Sequence, residues 1–135
     1  MTTYTFERMN DKNIKLIKNK IRRDDIHEWH EASRNFIGSL PMLQNGAKWI
    51  LITHHVPYLP CHTKDIQSDI WDDGYYTNMK LDSTKISHSI HGHNHHQADF
   101  MLNGIRYLSN PFGYNDEKHV RERYDENHHF HVSSA

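Results

Sequence analysis

The chain has 135 residues, with 16 Lys or Arg and 17 Asp or Glu, so its formal net charge at pH 7 is −1. This balance excludes a polyanion binder held by net charge, and no basic stretch with interleaved aromatic residues predicts a nucleic-acid patch. No apolar run approaches the roughly 18 residues that span a membrane. We therefore expect neither a membrane nor a nucleic acid as partner.

The rest of the composition predicts a single unit over residues 1–135. The length suits one domain, and no repeat, linker or low-complexity tract divides it. Cys61 is the one cysteine in the sequence, which excludes an internal disulfide and favours a reducing compartment, so we expect a cytoplasmic location. Histidine is the unusual residue, with 14 copies, and five of them fall between His88 and His96.

The first third of the chain predicts one strand and two helices. Residues 2–6 alternate in the manner of a strand, and residues 11–21 carry isoleucines on one helical face. Asp24 and Asp25 suit the positive end of a second helix, which we expect to end near Pro41. The side chains at helical spacing along this second helix are Ile26, Trp29, Ser33, Phe36, Ile37 and Leu40.

Five strands are predicted in the remainder. The first is a continuous apolar run, which is typical of a strand buried on both faces. Asn103-Gly104 is a strong hairpin signal between two others. A long loop is expected over residues 58–82, between the first two strands. The predicted strands are Trp49–Thr53, Ile86–Ile90, Asp99–Leu102, Ile105–Leu108 and His129–Val132.

Histidines follow the first two of these strands directly. His54 and His55 come after the first strand, and Gly92, His93 and His95 come after the second. Ligands in layered sheets bind outside the carboxyl ends of strands, and neutral imidazole is the commonest metal ligand among side chains.

A stretch of extended backbone after Gly92 would put His93 and His95 on one face, within reach of two metal ions roughly 3.5–4 Å apart. Gly92 itself is expected to let the chain bend sharply at the strand end. A metal-scavenging surface run is the plainer alternative, but histidines at two strand ends favour a built site.

Together these segments resemble a known family. Thr53-His54-His55-Val56-Pro57, Gly92-His93-Asn94-His95, the Asn103-Gly104 hairpin and Ser109-Asn110-Pro111-Phe112-Gly113-Tyr114 are similar to the last two metal motifs and the following segment of calcineurin-like metallophosphoesterases. The resemblance implies an α/β (α+β layered) fold, part of a two-sheet β-sandwich flanked by helices. It also implies a dinuclear metal centre at the strand ends.

The resemblance implies a role for each matching residue. His54 and His93 would share one metal ion, and His95 would bind the other. His55 would contact the substrate phosphate in a catalytic role or hold the loop, and Asn94 is assigned to substrate binding. In the complete domain the cofactors would be two divalent ions chosen from Mn, Fe, Zn, Co or Ni.

The sequence departs from the family because the Asp-x-His, Gly-Asp-x-x-Asp and Gly-Asn-His motifs are absent. The chain thus resembles the C-terminal half of such a domain, and an N-terminal half or a partner chain would complete the site. We predict a metal-dependent phosphoesterase that acts on a phosphomonoester or phosphodiester, to which this chain supplies the C-terminal histidines while being incomplete alone. The alternatives are a non-catalytic metal-binding fragment and an unrelated His-rich metal-binding module.

Overall fold

A computed structural model describes residues 23–58 and 77–132 of the chain. The predicted strand over residues 2–6, the helix over residues 11–21 and Cys61 lie outside the described residues, as does most of the predicted loop. Within the described ranges the protein has helices and one mixed sheet of four strands, which places it in the general α/β class.

The first described helix, α1, spans Arg23–Ser39 and confirms the helix that Asp24, Asp25 and Pro41 predict. The two aspartates lie in its first turn, where carboxylates stabilise the positive end of the helix dipole. Its apolar stripe is only partly used for packing. Ile37 packs against the core, whereas Trp29 and Phe36 are 56% and 67% exposed.

The sheet contains four strands in the order β1-β2-β4-β3. The three neighbours β1, β2 and β4 run parallel, and β3 pairs antiparallel with β4 through the predicted hairpin. Asn103 and Gly104 adopt positive φ angles of 52° and 79° in its two-residue turn, as a tight hairpin requires. The strands are β1 (Trp49–Ile52), β2 (Ile86–Ile90), β3 (Ala98–Leu102) and β4 (Ile105–Ser109).

The expectation that the first strand is buried on both faces is wrong for the described residues. Along β1, half-buried and exposed residues alternate, and Ile50 and Ile52 are 39% and 72% exposed. The reason is that β1 lies at an edge of the sheet that the described strands form, and Trp49 and Leu51 are its residues that pack against the core. The buried core cluster consists of Val56, Leu81, Ile86, Ile105 and Tyr107.

The C-terminal segment packs back onto the sheet without forming a strand. The predicted strand over residues 129–132 is wrong, because these residues have no regular structure. Phe130 instead stacks on His88 of β2, with ring centroids 5.3 Å apart. A short helix that the sequence did not predict, α2 (Lys118–Arg121), precedes this segment. The Gln97 amide donates to the carbonyl oxygen of Val120 at 3.0 Å and ties α2 to the sheet.

Candidate functional site

The carboxyl ends of β1 and β2 bring the two histidine segments together. Parallel pairing continues past the strands, because the Thr53 N–H donates to the Ile90 carbonyl at 2.9 Å and the Gly92 N–H donates to the His54 carbonyl at 3.1 Å. Residues that follow two in-register parallel strands emerge at one edge of the sheet. The fold therefore places His54 beside His93, as the sequence predicts.

The His54 and His93 side chains meet through their ring nitrogens. His54 Nε2 and His93 Nδ1 are 3.0 Å apart, so that one nitrogen donates the proton that the other accepts. Two nitrogens bound at about 2.0–2.1 Å to one metal ion lie roughly 2.9 Å apart at a right angle and roughly 3.3 Å apart at a tetrahedral angle. The observed separation falls between these values, so the two rings fit a shared metal ion that would replace their hydrogen bond.

His55 completes a cluster of three imidazoles. Its ring centroid lies 4.4 Å from that of His93 and 5.2 Å from that of His54. Burial, followed by the neighbouring charge of His93, lowers the pKa of His55 from 6.5 to about 4. The ring is therefore neutral at pH 7 and offers a substrate one N–H donor and one acceptor nitrogen, but no positive charge.

The segment after Gly92 is not extended, contrary to the expectation. His93 and His95 have positive φ angles of 65° and 51°, and the Asn94 N–H donates to the Gly92 carbonyl at 2.8 Å across a tight three-residue turn. The sharp bend thus falls on the histidines and not on Gly92, whose φ is not positive. Non-glycine residues with left-handed backbone angles carry strain of about 1–3 kcal/mol each, and such strained residues cluster at functional sites.

His95 lies in a separate set of contacts, with the segment that follows β4. Its Nδ1 is 2.7 Å from Oε2 of Glu117, and its ring meets the Tyr114 ring edge-on with centroids 4.7 Å apart. The Tyr114 N–H donates to the same carboxylate oxygen at 2.6 Å. This backbone hydrogen bond, and then the one from His95, lower the pKa of Glu117 from its usual value.

Asn94 lies mostly inside the protein. Only 6% of its surface is exposed, and its side-chain oxygen accepts from the His96 backbone N–H at 3.5 Å. Little of this side chain is open to a substrate, so the predicted substrate contact of Asn94 has no support in this geometry.

Polar side chains without hydrogen-bond partners among the described residues lie in and just after β2 and at the end of β4. Ser89, His91 and Ser109 are at most 5% exposed, and their hydroxyl oxygens and both His91 ring nitrogens have no hydrogen-bond partner among the described residues. Burial lowers the pKa of His91 to about 4, so this ring is neutral.

A groove of about 260 Å³ adjoins the cluster on the side of α1. His30, Arg34 and Ile37 of α1 form one wall, and His54, His55 and Pro57 form the other. This groove gives the cluster a neighbouring space with mixed apolar and polar walls.

The metal ligand set is incomplete in the part of the chain that the structure describes. No group of three or more His, Cys, Asp or Glu side chains there is placed to hold one metal ion. The sequence predicts site roles for the three clustered histidines, whereas Glu117 is not predicted from it. The sequence signal that could have identified Glu117 is an acidic residue three positions after Tyr114, just beyond the predicted turn that contains Pro111.

Comparisons with known proteins found a similar sequence but no matching family model. No family model matches the chain, and no solved structure matches it. A protein of Acanthamoeba polyphaga mimivirus, "Uncharacterized protein L509", is 29% identical over 121 residues, a region that covers 78% of this chain and 41% of that protein. The chain thus spans about two-fifths of that relative. No helix in the described ranges is long and apolar enough to cross a membrane.

Proposed function

We propose that this chain supplies the C-terminal histidine ligands of a metal-dependent phosphoesterase with a dinuclear centre. The observation that carries the proposal is the 3.0 Å approach of His54 Nε2 and His93 Nδ1 at the ends of two parallel strands. Neutral imidazole is the commonest metal ligand among side chains, and this separation fits two nitrogens bound to one ion.

The hydrolase part of the proposal rests on the resemblance of the two histidine motifs to calcineurin-like metallophosphoesterases. His54 and His93 would hold one ion, and His95 would bind a second through the ring nitrogen that does not face Glu117. Divalent ions in such a centre polarise the phosphoryl group and activate water. His55 would donate its N–H to a phosphate oxygen, and the groove beside α1 would receive the ester substituent.

The proposed site needs carboxylates from elsewhere. Two neutral imidazoles compensate no metal charge, and catalytic zinc sites usually have three protein ligands. An N-terminal half or a partner chain would therefore supply the bridging acid and complete the two-sheet sandwich. The single cysteine suits a reducing compartment, so the proposal includes a cytoplasmic location.

A second candidate is a metal-binding fragment without catalysis. The absence of the Asp-x-His, Gly-Asp-x-x-Asp and Gly-Asn-His motifs favours it for this polypeptide alone. The two candidates share the ion held by His54 and His93 and differ in whether any completed assembly turns over a phosphoester.

The test of the shared step is a thermal-shift measurement with Zn²⁺ or Mn²⁺ at millimolar concentration. A weak site should raise the melting temperature slightly, because stabilisation follows the ratio of free metal to its dissociation constant. His54→Ala or His93→Ala should remove most of that rise. The control is the exposed distal pair: if His128→Ala/His129→Ala loses the metal response and His93→Ala keeps it, the scavenging alternative replaces the proposal.

A further inference from the structure

We propose that Glu117 is the positioning residue for His95, fixing which ring nitrogen carries the proton and which is presented to a metal ion. The inference rests on the proposed function, in which His95 is a ligand. Its basis is the contact of His95 Nδ1 with Glu117 Oε2 at 2.7 Å, where both side chains are about a quarter exposed, at 23% and 27%.

The carboxylate determines the tautomer of His95. An ionised carboxylate can only accept hydrogen bonds, so the proton between the two groups belongs to Nδ1 of the imidazole. In the neutral ring, Nε2 then keeps its lone pair. Carboxylates that hold the second nitrogen of a metal-binding histidine orient the ring and raise its basicity. Glu117 thus leaves His95 with Nε2 as its one metal-binding nitrogen.

The carboxylate is itself held in place from two sides. The Tyr114 N–H donates to the oxygen that His95 uses, at 2.6 Å, and residue 117 immediately precedes α2, whose Val120 N–H and Arg121 N–H donate to the Glu117 carbonyl. The backbone hydrogen bonds fix the Cα of Glu117, and its carboxylate cannot rotate away from His95 without breaking the hydrogen bond from Tyr114. The edge of the Tyr114 ring restrains the imidazole from a further direction.

Gly113 shows that the turn is built for this approach. Its φ angle is +78°, and a Cβ at this position would lie 3.0 Å from Glu117 Oε2 and 2.9 Å from the Val120 side chain. Only glycine therefore allows the turn to pass close enough for the Tyr114 N–H to reach the carboxylate. The turn, the carboxylate and His95 form one connected support.

The experiment observes the His95 ring directly by ¹⁵N NMR of the full chain at pH 8, where unperturbed imidazole is neutral. Wild-type His95 should be protonated at Nδ1, and Zn²⁺ should shift its Nε2 resonance. In Glu117→Ala the ring should lose this fixed tautomer, and the zinc affinity read at Nε2 should fall about 10- to 100-fold.

Glu117→Gln serves as the second variant if the alanine variant does not fold. Its amide oxygen can still accept from Tyr114 and from His95, so the fold and the tautomer should persist while the loss of charge weakens zinc binding at Nε2. The matched control is Glu122→Gln on the same segment, whose carboxylate pairs with Lys118 at 3.5 Å and is 63% exposed. It should leave both the tautomer and the zinc response unchanged.

The positioning role is overturned if folded Glu117→Ala keeps the wild-type tautomer, because a purely structural role would leave the tautomer unchanged once the variant folds. Zinc binding by Glu117→Gln as tight as that of the wild type would support the positioning role and overturn only the expected contribution of the charge. A tautomer that depends on Glu117 while zinc never perturbs Nε2 would support the positioning contact and overturn the metal assignment of His95. The two proposals thus fail in distinguishable ways.

Discussion

His91 and His93 are separated by one residue and lie in opposite environments. The His93 ring contacts two other imidazoles at the surface, whereas His91 is 5% exposed and neither of its ring nitrogens has a hydrogen-bond partner in the described ranges. Burying an unpaired imidazole costs free energy that a nonpolar side chain would not cost. The two residues therefore have different expected responses to substitution and to pH.

The stability of the protein should fall between pH 6.5 and pH 4 because of His91. Its folded pKa is about 4, below the unfolded 6.5, so the unfolded state binds the proton first. The free energy of unfolding therefore keeps its full value, as far as His91 is concerned, above pH 6.5. It decreases as the pH falls toward 4, by about 3 kcal/mol in total. In urea unfolding at pH 7.5 and 4.5, His91→Leu should reduce the difference in free energy of unfolding between the two pH values.

The control for that measurement is His27→Leu, the same substitution at an exposed position of α1. This variant should keep the pH dependence of the wild type. A His91→Leu protein that loses as much stability on acidification as the wild type would show that His91 is not buried as the structure has it.

Within the secondary-structure elements and turns, replacing two different glycines by alanine should change the free energy of unfolding in opposite directions. Gly113 has φ +78° and would place a Cβ 2.9 Å from the buried Val120 side chain, whereas Gly38 in α1 has nothing within 4 Å. Gly113→Ala should lower the free energy of unfolding by about 2 kcal/mol or more through backbone strain and overpacking. Gly38→Ala should raise it by about 0.5–1 kcal/mol because alanine favours the helix.

Chemical denaturation of the two variants in parallel measures both effects. Equal effects of the two substitutions would contradict the turn geometry that holds Glu117 near His95.

Local signals predicted the elements that local chemistry determines. Asp24, Asp25 and Pro41 bounded α1, and Asn103-Gly104 located the hairpin, because caps and tight turns are set by a few neighbouring residues. The burial of β1 on both faces was predicted wrongly, since its position at the sheet edge depends on strand order and not on its own sequence.

In the candidate site, too, features set by neighbouring residues are predictable from the sequence, and features set by the fold are not. His54 and His93 are predicted together because each follows an apolar strand and matches a metal motif of the family, and the parallel pairing of β1 and β2 brings them together. The positive φ angles of His93 and His95 could not be read from the sequence, where Gly92 was the expected bend. Glu117 was missed because its partner His95 is 22 residues away and is reached only through the fold.

At the scale of the whole molecule, the purified chain should hydrolyse activated phosphomonoesters and phosphodiesters at no more than the background rate with Mn²⁺ or Zn²⁺. The physical reason is that three histidines without a bridging carboxylate cannot fix two ions at a working distance. Release of p-nitrophenol from its mono- and bis-phosphate esters measures the rate. Robust metal-dependent turnover that His93→Ala abolishes would mean that other residues of this chain supply the missing ligands.

Metal binding by the isolated chain should weaken as the pH falls through roughly 6.5. Protons compete with the metal for free imidazole in this range, so the dissociation constant rises as the ligands protonate. Isothermal titration calorimetry with Zn²⁺ at pH 7.5 and at pH 5.5 compares the two dissociation constants. Unchanged affinity at the lower pH would indicate that carboxylates, and not imidazoles, hold the ion.

In the proposed function, His54 and His93 share one metal ion at the ends of β1 and β2. The most direct measurement is paramagnetic broadening of histidine ring resonances during a substoichiometric titration with Mn²⁺. The His54 and His93 rings should broaden first and together, and His93→Ala should remove the effect at His54. Broadening that begins at His128 and His129, with the His54 and His93 rings still sharp, would contradict it.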